Sequence, residues 1–299
     1  MSVLKSYVSG IAAATRRPKM VALLWLMNLV FALPAFFVFR SAFRGTLGDS
    51  LAADGLLNKT DINIIFEFLT SSGVVLGLVI TAVLVIIVLH VLAYVFAFGG
   101  ILNVLTHEPR DQRFGQVFFG GGGRFYGRFF RLVAYSIVLW VPVGIILLAA
   151  NGLLKLVTTN PAREQLAVAM GILRVLLFLF LVFFVEMILD YARIKIALTD
   201  TRQVFRALVE ASRFVFSRPL KSILLYYMLG LTGWAAFGAC LAIHSRFSET
   251  SAFAVFLGFL ITQAFIASRA WLRVAYQAAQ KDFLESSIPG MQASANLPT

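Results

Sequence analysis

The chain alternates between long apolar runs and shorter polar segments. Six runs stand out, at about 20–39, 73–98, 132–154, 167–189, 220–244 and 252–272. An α-helix needs about 20 residues to cross the hydrocarbon core of a bilayer, so each run predicts one spanning helix. The pattern therefore predicts an all-α polytopic membrane protein of six transmembrane helices. We expect a single transmembrane domain over residues 1–285 and a mobile polar tail over 286–299.

Segments with helical amphipathic spacing precede the odd-numbered spans. The clearest runs from residue 202 to 215. One broad, largely apolar face of this helix consists of Val204, Phe205, Leu208, Ser212 and Val215. Before it, Asp200-Thr201-Arg202-Gln203 resembles a capping box with Gln203 at the third helical position. Similar segments precede spans one and three. The sequence thus predicts three hairpins, with interfacial amphipathic helices on the cytoplasmic side.

Four consecutive glycines, Gly120 to Gly123, precede span three. They lack the Gly-Lys-Ser/Thr ending of a phosphate-binding loop, so that motif is excluded. Glycine has no Cβ to restrict its backbone. We therefore expect a flexible hinge between the amphipathic segment and the span.

Charge is distributed unequally between the two sides of the predicted membrane. The chain ends and every second loop carry 19 Lys/Arg and 7 Asp/Glu, with Arg269 counted in the C-terminal end, and the intervening loops carry 6 of each. This positive-inside pattern predicts a multi-pass protein of the bacterial cytoplasmic membrane with both termini in the cytoplasm.

The basic residues lie near span ends, which indicates anionic membrane lipid as a partner and argues against nucleic acid. The candidates for contact with lipid headgroups are Arg17, Arg124, Arg128, Arg131, Arg202, Arg206, Arg213, Arg218 and Lys221.

Polar groups at membrane depth are costly and are candidates for a ligand site or an ion pathway. They are His90, Arg174, Glu186, Asp190, Arg193, Gln263, Arg269 and Arg273. Glu186, Asp190 and Arg193 share one face of span four, and their carboxylates could pair with Arg269 and Arg273 of span six. A sharper alternative joins His90 to Glu186 as a proton relay or a site for a coupled ion.

Catalytic and metal-binding motifs are not found in the sequence. The three histidines are far apart, and Cys240 is the single cysteine, so no histidine or cysteine cluster for a metal is predicted. We expect no cofactor, and the sequence favours a protein that is not an enzyme.

The order of the spans and several local motifs resemble a known group. These motifs are the basic segments Ser217-Arg218-Pro219 and Gly127-Arg128-Phe129, with Asp190-Tyr191-Ala192-Arg193 after span four. Together they resemble a loose group of uncharacterised bacterial six-span inner-membrane proteins. The group is related in pattern to the membrane domain fused to some glycerophosphodiester phosphodiesterases. The phosphodiesterase domain is missing from this chain, so the resemblance implies a membrane location and no activity or site residue.

Three functions remain open at this point. The first is a non-enzymatic scaffold or accessory subunit that binds anionic lipid, with a protein partner or a second copy of the chain. The second is a transporter or permease subunit for a lipid or small solute. The third is a membrane-embedded enzyme.

Overall fold

The computed structural model describes residues 2–47, 73–106, 113–158, 164–246 and 252–287. Throughout these ranges the regular structure is α-helical, as predicted. The eight helices of this part of the chain are α1 (Val3–Thr15), α2 (Pro18–Leu47), α3 (Gly73–Thr106), α4 (Phe114–Thr158), α5 (Glu164–Thr199), α6 (Val204–Ser217), α7 (Pro219–His244) and α8 (Ala252–Ser287). From residue 288 onward, the predicted polar tail lies outside the described residues.

Six helices are long and apolar enough to cross a membrane. Their candidate spans are Pro18–Ala42, Leu76–Thr106, Phe114–Leu153, Val168–Thr199, Pro219–His244 and Phe253–Ser287. The prediction of six spans and of an all-α polytopic membrane protein is confirmed. Several helices exceed the bilayer: α4 has 45 residues and is therefore about 68 Å long, against about 30 Å of hydrocarbon.

The described residues form two compact units. The smaller unit is Ala22–Val95, and the larger contains the residues up to Val21 and those from Phe96 onward. In the smaller unit, Ala42 and Val79 are buried together, with Val38 and Val83 packed against them. Parts of α2 and α3 therefore contact each other there. A single domain over 1–285 stays a prediction.

Buried residues of the larger unit are concentrated at one end of its helices. In α4, Phe118 and Phe125 are buried near the start, whereas Leu148 is exposed near the end. In α5 the order is reversed, because residues 172–176 are exposed and residues 187–194 are buried. The packed end is the one that the charge pattern assigns to the cytoplasm. In a bilayer, exposed apolar surface farther along these helices contacts acyl chains.

Helix α1 packs closely on α8. Small residues make this approach possible, since a Cβ placed on Gly10 would lie 2.5 Å from the Ala279 Cβ. The Trp271 Nε1–H donates to Thr15 Oγ1 at 3.2 Å, and the Tyr7 hydroxyl lies 2.8 Å from Thr232 Oγ1 in α7. The first helix is therefore fixed to two spanning helices.

The predicted hinge at Gly120–Gly123 is wrong, because α4 is one continuous helix through all four glycines. A Cβ on Gly121 would lie 2.2 Å from Asn103 Cβ, and one on Gly122 would lie 2.5 Å from Phe96 Cζ. These two glycines allow α3 and α4 to approach closely. The segment before span three is thus the first part of the spanning helix.

The predicted capping box before α6 is also wrong. The helix begins at Val204, and the side chain of Gln203 makes no capping hydrogen bond. Thr201 Oγ1 accepts from the Gln203 backbone N–H at 3.2 Å. Asp200 has a left-handed backbone, with φ of +48°, and its carboxylate contacts α4.

Candidate functional site

Asp190 is a fully buried carboxylate at the packed end of α5. Its Oδ1 accepts from Arg193 Nη1 at 2.6 Å and from Gln277 Nε2 of α8 at 3.0 Å. Glu186 Oε2 lies 3.9 Å from the same guanidinium nitrogen. Glu186, Asp190 and Arg193, which were predicted to share one helix face, therefore form an ion-pair network. Gln277 connects this network to α8.

Two arginines of this network lie against the ring of Phe98 in α3. The guanidinium carbons of Arg193 and Arg273 are 4.6 and 4.8 Å from its centroid, a distance at which cations are attracted to an aromatic ring. We call Glu186, Asp190, Arg193, Phe98, Arg273 and Gln277 the Asp190 cluster. The structure thus brings Arg273 to the aromatic ring that Arg193 also contacts, whereas Arg269 is exposed.

Several buried polar atoms near the Asp190 cluster have no hydrogen-bond partner among the described residues. They include Asp190 Oδ2, Gln277 Oε1 and both polar atoms of the Gln280 amide. Leaving such a group unsatisfied costs about 1–3 kcal/mol, and buried polar groups are normally satisfied by protein, ordered water or ligand. The cluster is therefore a polar site inside an otherwise apolar helix junction.

Sequence analysis did not single out Gln277, Gln280 or Phe98. The spacing of the two glutamines could have indicated them, because Gln277 and Gln280 follow Arg273 at helical spacing and extend its polar stripe. Phe98 carried no such signal, since it is one of 29 phenylalanines in the chain.

The other candidates for a ligand or ion pathway have different surroundings. The His90 ring, in the smaller unit, lies 5.0 Å from the Phe31 ring and 4.9 Å from the Tyr94 ring between centroids. Arg174 is exposed, and Gln263 is half-buried. Because His90 and Glu186 belong to different units, the relay between them stays a prediction.

Metal ligation has no candidate in the described part of the chain. No group of three or more His, Cys, Asp or Glu side chains is placed there to hold an ion. Cys240 is a half-buried free thiol.

Helix α6 presents three different stripes. Its buried side is made of Val204, Ala207, Leu208, Ala211 and Val215. Beside it lies an apolar stripe that is exposed: Phe205 by 51%, Val209 by 44% and Phe216 by 65%. At 100° per residue these three positions fall within about 40° of one another. The predicted apolar face is therefore divided in the structure, since Val204 is buried and Phe205 is exposed.

A basic stripe adjoins the exposed apolar one. Arg206 and Arg213 are exposed and fall within a further arc of about 20°. Arg202 precedes the helix by two residues, is also exposed, and is counted with this stripe. We call the two stripes together the outer face of α6.

Both ends of this outer face contact residues of the predicted spans. The Phe205 ring lies 5.6 Å from the Tyr135 ring of α4, and the Phe216 ring lies 5.6 Å from the Phe184 ring of α5. At 1.5 Å per residue, Tyr135 and Phe184 are about 5 and 8 Å inside the ends of their apolar runs. The two ends of α6 therefore contact the spans at similar distances from the ends of these runs.

Ion pairs fix α6 to its neighbours. Glu210 accepts from Lys195 Nζ of α5 at 2.6 Å and from Arg206 Nε at 2.9 Å. These hydrogen bonds, from Lys195 first and then Arg206, hold the pKa of Glu210 below its usual value.

Asp200 is held by α4 in a second such arrangement. Its Oδ1 lies 2.5 Å from Arg128 Nη1, and its Oδ2 lies 2.6 Å from Arg124 Nη2. Hydrogen bonds from Arg128 and then from Arg124 lower the pKa of the Asp200 carboxyl.

The remaining headgroup candidates have varied surroundings. Arg131 Nε donates to the Gly127 carbonyl of its own helix at 3.1 Å, and Arg218 Nη2 donates to the Ser287 carbonyl at the end of α8 at 3.4 Å. Lys221 is exposed, and Arg17 is half-buried. The three exposed arginines on the outer face of α6 form the clearest group for contact with lipid.

No family model, curated protein or solved structure matches this chain.

Proposed function

We propose that this multi-pass membrane protein is a non-enzymatic scaffold or accessory subunit of the bacterial cytoplasmic membrane that binds anionic lipid. The observation that carries the proposal is the outer face of α6, an exposed apolar stripe beside an exposed basic stripe. An amphipathic helix of this kind places its apolar residues at the boundary of headgroups and acyl chains and its cations at the phosphates.

The depth of α6 supports this assignment. Phe205 and Phe216 contact rings inside the spanning segments, so the apolar stripe is level with the membrane boundary. Each Arg near an anionic leaflet contributes about 1 kcal/mol. The three arginines of the outer face would therefore contribute about 3 kcal/mol to the attraction of anionic lipid.

The charge distribution supports the orientation that we propose. The loops with excess Lys and Arg, including the one that contains α6, would lie in the cytoplasm together with both termini. Anionic lipid is enriched in the leaflet that faces this side. The large basic excess and the position of α6 are thus mutually consistent.

Binding of phosphatidylglycerol tests the proposal. We expect the triple variant Arg202→Gln/Arg206→Gln/Arg213→Gln to bind it at least about tenfold more weakly than the unmodified protein, because three cations near the phosphates are lost. Native mass spectrometry of the full chain in mild detergent, titrated with this lipid, gives the affinity.

The control variant is Arg40→Gln/Arg44→Gln/Arg174→Gln, which removes three exposed arginines that we assign to the outer half of the membrane. It should retain most of the affinity. Equal affinity in the two triple variants would contradict a lipid site on α6.

A transporter or permease subunit for a lipid or small solute is the second candidate. The unpartnered buried polar atoms of Asp190, Gln277 and Gln280 favour it, since polar groups at this depth often belong to a pathway. It differs from the first candidate because it requires water to reach these atoms from one side of the membrane.

A further inference from the structure

Asp200 occupies a place on α4 where two arginines converge. Arg124 and Arg128 are one helical turn apart, and each donates to a different oxygen of the Asp200 carboxylate. Their guanidinium carbons also lie 5.6 and 5.4 Å from the centroid of the buried Phe125 ring. The ring and the helix thus hold two cations in place for one planar anion.

The charges at this place do not balance. One carboxylate is shared by two guanidinium groups, and each arginine has further N–H donors that the carboxylate does not use. A phosphate group offers more acceptor oxygens and forms strong, often bidentate bonds with arginine. The two arginines are therefore better matched to a phosphate than to Asp200.

Asp200 is also accessible to solvent. The Asp200 and Arg124 side chains are 48% and 49% exposed, although the Arg128 side chain is only 12% exposed, and exposed ion pairs contribute little to stability because water competes for both charges. A ligand therefore needs little binding free energy to displace the Asp200 carboxylate from the two arginines.

The rest of the α5–α6 junction does not depend on Asp200. Lys195 of α5 and Glu210 of α6 are 2.6 Å apart, and the buried side of α6 packs against its neighbours. Release of Asp200 would thus leave α6 in place. Phe205 follows five residues later and contacts Tyr135, two helical turns after Arg128, so the arginine pair lies close to the membrane level.

We propose that Arg124 and Arg128 form a binding site for the phosphate of an anionic phospholipid, and that Asp200 occupies this site as an internal competitor when lipid is absent. The inference depends on the lipid binding proposed above and adds a second, regulated contact to it. The contact on α6 is always open, whereas the contact on α4 becomes available when a phosphate replaces the carboxylate.

Titration of the full-length protein with phosphatidylglycerol, followed by native mass spectrometry, tests the competitor. Asp200→Asn should bind this lipid about three- to tenfold more tightly than the unmodified protein, because the arginine pair is freed for charge-assisted bonds. Phosphatidylcholine with the same acyl chains should show no such gain. The matched control is Glu285→Gln, which removes one charge from the ion pair with Lys281 on α8 and should leave the affinity unchanged.

The gain in affinity for phosphatidylglycerol must depend on Arg124 and Arg128. Adding Arg124→Gln and Arg128→Gln to Asp200→Asn should return the affinity to the level of the unmodified protein or below it. The inference would be overturned if the affinity for phosphatidylglycerol rises no more in Asp200→Asn than in Glu285→Gln. A gain for inorganic phosphate without a gain for phosphatidylglycerol would overturn the assignment to lipid.

A second variant covers the case in which Asp200→Asn does not fold. Arg124→Gln/Arg128→Gln should bind phosphatidylglycerol at least about threefold more weakly than Arg40→Gln/Arg44→Gln, because lipid phosphate then has no arginine pair to enter. Equal affinities would overturn the inference. If the α6 triple variant loses lipid while these variants change nothing, the proposed function stands and the inference fails. If none of the variants changes lipid binding, both fail.

Discussion

Asp190 shows how a single charge is accommodated inside this membrane protein. A buried carboxylate without a partner would be prohibitively costly, and here it is stabilised by Arg193 at 2.6 Å and Gln277 at 3.0 Å. Removing one partner of a buried pair typically costs about 3–5 kcal/mol because the other charge is left uncompensated. The Asp190–Arg193 pair is therefore a structural requirement of the junction between α5 and α8, whichever function the protein has.

A substitution at Gln280 distinguishes the scaffold from the transporter. Its amide is fully buried and its polar atoms have no partner, so replacement by cysteine removes none of the described hydrogen bonds. In a scaffold, any water at these atoms is isolated from the bulk, and we expect Gln280→Cys in a Cys240→Ser background to resist a membrane-impermeant maleimide. Labelling is measured by mass spectrometry in intact and inverted vesicles.

The positive control for this labelling is Arg206→Cys in the same background, since Arg206 is 72% exposed. It should react in inverted vesicles. Reaction of position 280 at a comparable rate from either side would favour the transporter and contradict a scaffold with a closed interior.

The residues of the Asp190 cluster were predictable to different degrees. The charged members stood out because ionisable groups are rare in apolar runs, and Glu186, Asp190 and Arg193 share a helix face by spacing alone. Gln277 and Phe98 did not stand out, since their role depends on which helices become neighbours. Sequence periodicity gives the face of a residue but does not identify the residue opposite it.

Helix α4 also shows that the sequence of a helix does not identify the residues of its neighbour. The apolar run correctly predicted a span, but the glycines before it were interpreted as a hinge because glycine is flexible in isolation. Their actual role depends on Asn103 and Phe96 of α3, which lie in close contact with Gly121 and Gly122. Asn103 Nδ2 also donates to the Val117 carbonyl at 2.8 Å, which strengthens this contact between helices.

The four glycines therefore should respond differently to alanine. Gly121→Ala would place a Cβ against Asn103 Cβ, and we expect a loss of about 1–3 kcal/mol in the free energy of unfolding because the two helices must separate. Gly123→Ala meets nothing within 4 Å and should stabilise the helix by up to about 1 kcal/mol. Unfolding in mixed micelles with increasing dodecyl sulfate measures both changes. Destabilisation of equal size at both positions would show that the glycines are needed for flexibility.

At the scale of the whole molecule, the sequence correctly predicted the number of spans and the all-α class. Both follow from apolar length alone, because a bilayer fixes how many residues a helix needs. The concentration of buried residues at one end of the larger unit could not be predicted, since the apolar runs are equally hydrophobic at lipid-facing and protein-facing positions. The amphipathic character of α6 was predictable, but which of its apolar residues remain exposed depended on packing against α4 and α5.

We propose that α6 lies in the membrane interface with an apolar stripe toward lipid and a basic stripe toward the phosphates. The most direct test is the accessibility of nitroxide labels to oxygen and to a water-soluble nickel complex. Labels are placed one at a time at Phe205, Arg206, Val209, Arg213 and Phe216, in a Cys240→Ser background and in bilayers that contain phosphatidylglycerol. Oxygen partitions into acyl chains and the nickel complex stays in water, so the ratio reports depth. We predict a high oxygen ratio at Phe205, Val209 and Phe216 and a high nickel ratio at Arg206 and Arg213. A high nickel ratio at all five positions would show α6 to be surrounded by water and would contradict the account.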